Sequence, residues 1–179
     1  MTDATALPLH GVRVIDYSHF LAGPHLSRSL AALGAEVIKV ERPKEGDAGR
    51  AHGYFKDGQS GYFLQQNMGK LGLCLDMKDP RGRALMMDLI KTADVFVENY
   101  RPGALEKLGL GYKALSDLNP RLIYCSVSAY GHTGPDASQP GFGLIAEAKS
   151  GALAMLGEPG CAPPLLRMPV ADMCAGTHG

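Results

Sequence analysis

The chain has 179 residues, 45% of them hydrophobic and 20% charged, which describes a soluble globular domain large enough to need no disulfide or metal staple. Lys+Arg 18 against Asp+Glu 18 leaves a formal charge of +0, so no global field draws it to nucleic acid or a membrane surface. An anionic ligand must be held by local basic groups.

The first 11 residues, MTDATALPLHG, lack the basic and apolar regions of a signal peptide, and no apolar run reaches the ~18 residues of a membrane span. Cys74, Cys125, Cys161 and Cys174 show no CxxC spacing and lie in or beside apolar segments, which reads as buried free thiols in a reducing cytoplasm. Val12, Val14 and Ile15 predict a short buried strand. AGPHLSRSLAALG follows as a helix, with Pro24 in its first turn, Gly34 as a left-handed stop, and Leu26, Leu30 and Leu33 on one face. AEVIKVERP predicts a second strand at the spacing of a βαβ crossover.

Residues 43–60 are polar, glycine-rich and aperiodic, and read as a surface loop. GYFLQQNMGK predicts a short helix and LGLCLDM a third strand. Asp79 and Pro80 open a helix expected to turn Leu85, Met86, Leu89 and Ile90 inward. DVFVENY, RPGALEKLGLG and RLIYCSVSAYG predict strand, short helix and strand, and GFGLIAEAKSGALAMLG a further helix. The last segment, PLLRMPVADMCAGTHG, reads as the start of a strand-to-helix junction with Asp172 at the strand end, after which the chain stops. This is an α/β pattern, an open parallel sheet with helices on both faces, in one domain over residues 1–179 that reads as truncated.

The motif search is mostly negative. The first βα turn, SHFLAGP, has one glycine and no GxGxxG, so dinucleotide binding is unsupported, and Arg42 directly after Glu41 suits a phosphate or an adenine face better than a ribose. P-loop, HExxH and GxSxG patterns are absent, and no two histidines stand at metal-binding helical spacing. What remains is a recurrence of basic residues at predicted strand ends: Arg42, Lys78 and Arg101, with Lys107 just beyond. Each could be a solvated loop charge. At the ligand-binding edge of a parallel sheet, together they suit one anion with several phosphates.

LHGVRVIDYSHFLAGPHLSRSLAALGAEVIKVERP, LDMKDPRGRALMMDLIKTADVFVENYRPGALEKLGLGY, NPRLIYCSVSAYGHTGP and VADMCAGTHG, in that order, resemble the class III coenzyme A transferases (the CaiB/BaiF group, which includes formyl-CoA transferase, carnitine CoA-transferase and α-methylacyl-CoA racemase). The resemblance implies a Rossmann-like large domain, of which this chain is the N-terminal part, with a small domain and a C-terminal return in the other half. It implies an interlocked homodimer, with acyl-CoA and a small carboxylic acid as partners. Coenzyme A would be a substrate and no cofactor would be held permanently. Coenzyme A contacts would fall on Leu21 and Ala22, on Arg42 at the adenosine, on Leu75, Asp76, Met77 and Lys78, and on Asn99, Tyr100, Arg101 and Lys107. Lys70 stands in NMGKLGL, where the family more often carries a further arginine, and Leu21 replaces a polar residue of some formyl-transferring members.

The resemblance also implies that Asp172 is the nucleophile. Its carboxylate would attack an acyl-CoA thioester, and exchange would run through an aspartyl-CoA thioester. Read without the family, Asp172 is better taken as an aspartate that caps the next helix. Two alternatives stay open. A racemase-like enzyme needs a histidine where Phe142 stands, and His132 lies ten residues earlier in a glycine turn. A non-catalytic truncated fragment is the other.

Overall fold

Val14 and Ile15 are both fully buried, and they point to opposite faces of the first strand, β1 (Arg13–Tyr17). The computed structural model describes residues 7–179; part of the stretch read for a leader, residues 1–6, lies outside the described residues. Ile15 joins one core, with Phe96, Met86, Ile90 and Leu115, and Val14 joins another, with Leu26, Val37 and Val97. The sheet is therefore covered on both sides. Helix α1 (Ala22–Ala32) supplies Leu26 on one face, while α3 (Pro80–Lys91) and α4 (Tyr112–Leu118) supply Met86, Ile90 and Leu115 on the other.

The main sheet has five strands, all parallel. With β2 (Glu36–Glu41), β5 (Leu71–Cys74), β6 (Val95–Glu98) and β7 (Ile123–Ser126), the order is β5-β2-β1-β6-β7. Ile15 pairs with Ile38 on one side and Phe96 on the other. The chain winds outward in one direction through β2 to β5, then crosses back to β6. A crevice opens at the carboxyl ends where the direction reverses, between β1 and β6.

Several expectations need correction. Residues 43–60 are not featureless: Asp47 caps a short 3-10 helix (Ala48–Ala51), accepting the Gly49 N–H at 2.8 Å, and β3 (Phe55–Lys56) pairs antiparallel with β4 (Gln59–Ser60). Asp57 and Gly58 both have positive φ, 50° and 75°, the two-residue turn that an Asp-Gly pair favours. Helix α2 (Gly61–Asn67) follows, capped by Ser60. On α3, Asp79 accepts the Arg81 N–H at 2.8 Å as expected, but Leu85 is exposed. The helix expected over residues 141–157 is two, α5 (Gly143–Lys149) and α6 (Ala152–Met155), split at Gly151 with φ of 82°. No strand forms in residues 163–169; α7 (Val170–His178) begins directly, with Asp172 in its first turn. All four cysteines are free, but only Cys125 is even partly buried.

Charge is buried at the carboxyl end of β1. Asp16 is wholly inaccessible and its carboxylate lies 2.8 Å from Lys70 Nζ and 3.8 Å from Lys39 Nζ. Lys39 also meets Asp47 at 2.8 Å, so two cations and two anions balance. Ser27 Oγ donates to Asp16 at 2.7 Å, Lys39 donates to the Ser18 carbonyl, and Lys70 to the Pro24 carbonyl and Asn67 Oδ1. Burial alone would raise the Asp16 pKa, but the two lysines outweigh it and hold the carboxyl at about 2. Lys70, the residue beside the family's missing arginine, is locked in this network.

Because Asp16 titrates lower folded than unfolded, its contribution is complete above the ordinary carboxylate range and is lost as pH falls from about 4 towards 2, worth roughly 2 kcal/mol. Asp16→Asn leaves two buried cations facing one anion and should cost about 3–5 kcal/mol at neutral pH. Urea unfolding at pH 7 and near pH 3 should show that gap narrowing with acidity; a gap unchanged by pH would contradict the assignment.

Candidate active site

The turn between β1 and α1 is strained. Phe20 has φ of 63°, which costs a bulky residue about 1–2 kcal/mol, and three side-chain contacts hold it there. Phe20 N–H donates to Asp47 Oδ1 at 2.9 Å. Asn99 takes the His19 N–H at 2.9 Å and returns a bond to the His19 carbonyl at 2.7 Å. Gly23 completes the turn, since a Cβ there would lie 2.3 Å from Ser18 Cβ. Helix α1 then starts at Ala22, with Leu21 at the N-cap offering no side-chain acceptor. Tyr100 stacks on Tyr17 at 5.2 Å and meets the His19 ring at 4.7 Å, closing the turn from the β6 side.

Helix α7 lies against α1. Gly176 permits the approach, because a Cβ there would come within 2.6 Å of the Ala22 carbonyl oxygen. Thr177 Oγ1 meets His25 Nε2 at 3.3 Å. This packing brings Asp172 beside the β1–α1 turn, across about 150 residues of sequence. Helix α5 fixes the other side. The Gly143 backbone lies against the Asp172 carboxylate: a Cβ on Gly143 would sit 2.6 Å from Oδ2. Burial, then the nearby Glu147 charge, push the Asp172 pKa up, while the adjacent Gly143 backbone N–H opposes them. Tyr62 of α2 lines the same cavity, its phenol pushed up to about 12 by burial and by Asp172 and Asp47.

Leu21, Ala22, Asn99, Tyr100, Arg101 and Asp172 all line one cavity of about 860 Å³. Arg42 lines a smaller one, about 180 Å³, which shares His19, Phe20 and Tyr100 as a common wall. Arg42 reaches Glu45 at 3.2 Å and stays largely exposed. Glu41 is fully engaged, with both oxygens on Arg50 at 2.7 Å.

The remaining expected contacts lie elsewhere. Leu75 and Met77 are core side chains, so only backbone is available there, and Asp76 and Lys78 are exposed on a turn that Arg83 ties down through the Met77 and Lys78 carbonyls. Lys107, on a 3-10 turn (Glu106–Leu108), is exposed and, like residues 75–78, lines neither cavity. His19, Phe20, Tyr62, Phe142 and Gly143 line the large cavity without having been singled out as contacts. His19 and Phe20 were within reach of a reading of the βα turn; no pattern announced Tyr62 or Gly143. Among the described residues no three His, Cys, Asp or Glu side chains converge as a metal site.

Comparison with known proteins bears directly on this arrangement. Residues 9–179 match CoA-transferase family III. The chain is 46% identical to the mouse (Mus musculus) succinyl-CoA:glutarate CoA-transferase over 84% of its own length and 35% of that protein's. It is 41% identical to the acetyl-CoA:oxalate CoA-transferase of Acetobacter aceti, covering 94% of this chain and 44% of the relative. A CAIB/BAIF family protein from Brucella suis superposes with a TM-score of 0.91 at 38% identity, over 96% of this chain and 47% of that one. The chain thus spans less than half the length of these relatives. With a family match across the sheet, the strained turn and α7 alike, the chain belongs to CoA-transferase family III.

Proposed function

We propose that the complete protein carrying this sequence transfers coenzyme A between an acyl-CoA and a small carboxylic acid, with Asp172 as nucleophile. The observation that carries this reading is the meeting of Asp172, Arg101 and the N-terminus of α1 in one large cavity at the sheet's carboxyl edge. Residues 1–179 then form one Rossmann-like unit that binds coenzyme A. The relatives named for succinate, glutarate and oxalate point to a short dicarboxylate as the acceptor class. On family resemblance the protein works as an interlocked homodimer in the cytoplasm.

Phosphates suit the free N–H groups at the start of α1 and the guanidinium of Arg101, and the adenosine end suits the smaller cavity beside Arg42 and Tyr100. The Asp172 carboxylate attacks the thioester carbonyl, forming a mixed anhydride and releasing coenzyme A thiolate. The thiolate attacks the aspartyl carbonyl, giving an aspartyl-CoA thioester and the donor carboxylate. The acceptor carboxylate attacks that thioester, forming a second anhydride and freeing the thiolate. Attack of the thiolate on the acceptor's acyl carbonyl then yields the new thioester and regenerates Asp172. One carboxylate replaces another, so no ATP is needed. A carboxylate of raised basicity and restricted solvation is the better nucleophile. Phe142 stands in the cavity wall at the position where the racemase alternative expects a histidine, and His132 bonds Ser126 outside that wall, which favours transfer over the racemase reading.

Asp172→Asn keeps shape and removes the nucleophile, so exchange should disappear while coenzyme A binding stays near normal. Hydroxylamine trapping after incubation with acyl-CoA should tag the peptide holding Asp172; a tag on Cys174 would overturn the mechanism. Arg42→Ala and Arg101→Ala should each weaken coenzyme A binding by about tenfold or more in calorimetry, in a salt-dependent way, and unchanged affinity in both would move the binding site elsewhere. Gly143→Ala forces the Asp172 carboxylate aside, and kcat should fall by ~10²-fold with coenzyme A affinity retained. Full activity in that variant would show that the close approach is not needed.

A further inference from the structure

Helix α7 begins without a cap of its own. Its N-cap residue is Pro169, which has no side-chain acceptor to offer, yet its first turn carries Asp172. A carboxylate from another helix takes that place: Glu147 of α5, only 4% exposed, accepts the Ala171 N–H at 3.1 Å through Oε1. Burying a carboxylate is costly unless it is bonded, and a helix N-terminus is where an anion is best tolerated. The same short helix sets Gly143 against the Asp172 carboxylate, four residues and one turn before Glu147. Helix α5 therefore meets the first turn of α7 at two adjacent points, a hydrogen bond to the Ala171 backbone and a close packing contact with the Asp172 side chain.

We propose that Glu147 is a positioning residue for Asp172: its buried carboxylate caps the first turn of α7 and holds that turn in register with the cavity. The proposal rests on the reading of Asp172 as nucleophile. Glu147 itself does not line the cavity. The other titratable groups that face the first turn of α7 are Tyr62, His19, His52, Tyr100, Arg101 and Tyr130 in the cavity wall, and His25 of α1, bonded one turn further on at Thr177. None of them hydrogen-bonds the Asp172 carboxylate, and the nearby Glu147 charge is one of the causes that raise its pKa, so that like charge is what a substitution can remove cleanly.

Glu147→Gln keeps an oxygen for the Ala171 N–H and removes only the charge; Glu147→Ala removes both. In the complete protein, the acidic limb of the kcat profile should move to lower pH in Glu147→Gln by roughly half a unit or more, with KM for acyl-CoA unchanged. Glu147→Ala should lower kcat by ~10-fold or more at similar KM, and Gln should recover most of that loss. A carbon-13 NMR titration of the Asp172 carboxyl in the unliganded protein supplies a readout that does not depend on turnover. A lower midpoint in Glu147→Gln supports the proposal even if Asp172→Asn proves active and the transferase reading fails. An unmoved midpoint and limb in folded Glu147→Gln, or a change confined to KM, overturns it whatever Asp172 does.

Discussion

Everything near the site is built on the carboxylate of Asp16. It sits at the carboxyl end of β1, wholly removed from water, and bonds Lys70 and Ser27 while Lys39 stands alongside. Those partners come from α1, β2 and the chain entering β5, so one ionised group ties four segments at the crevice where the sheet reverses direction. An unpaired charge there would be costly, and the network leaves little freedom to rearrange without exposing one. Lys39 carries the tie onward to Asp47, and Asp47 holds Phe20 in its left-handed conformation. The strain in the β1–α1 turn is thus maintained from beneath by buried ion pairs and from the side by Asn99.

Two kinds of residue share the cavity wall as a result. Asn99 spends both side-chain groups on the His19 backbone, so its part is to shape the turn. Arg101, two residues on, is exposed and free to meet an anion. A similar division separates α5 from α7: Glu147 caps the first turn of α7 and Gly143 packs against it, while Asp172 of that turn lines the cavity. Rigid support behind a half-buried group at a cavity wall is what the proposed nucleophile needs if its attack geometry is to be set before substrate arrives.

Much of the fold was legible because parallel α/β units repeat a simple pattern. Apolar strands of four to six residues, Asp79 with Pro80 at a helix start and Gly34 at a helix end are local signals with local causes. The misreadings have local causes too. The polar stretch around Asp57 and Gly58 hides their turn, and the helical pattern runs through Gly151 although its positive φ breaks the axis. Leu85 satisfies the helical period but faces solvent, since periodicity gives a face only to within about one residue.

The sequence alone determined the alternation of strands and helices, the parallel sheet, the basic residues near strand ends and, through ordered motifs, Asp172 as the residue to watch. Tertiary structure decided which of these meet. Arg42, Arg101 and Asp172 gather around the crevice, whereas Leu75 and Met77 turn into the core and Lys78 and Lys107 face solvent away from both cavities. It alone revealed that Lys70 belongs to Asp16 and that Glu147 caps a helix 24 residues further along the chain. The physical reason is that propensity and periodicity act over neighbouring residues. Buried ion pairs, helix caps borrowed from another helix, and close approaches through Gly143 and Gly176 depend on segments that come together only when the sheet has been wound.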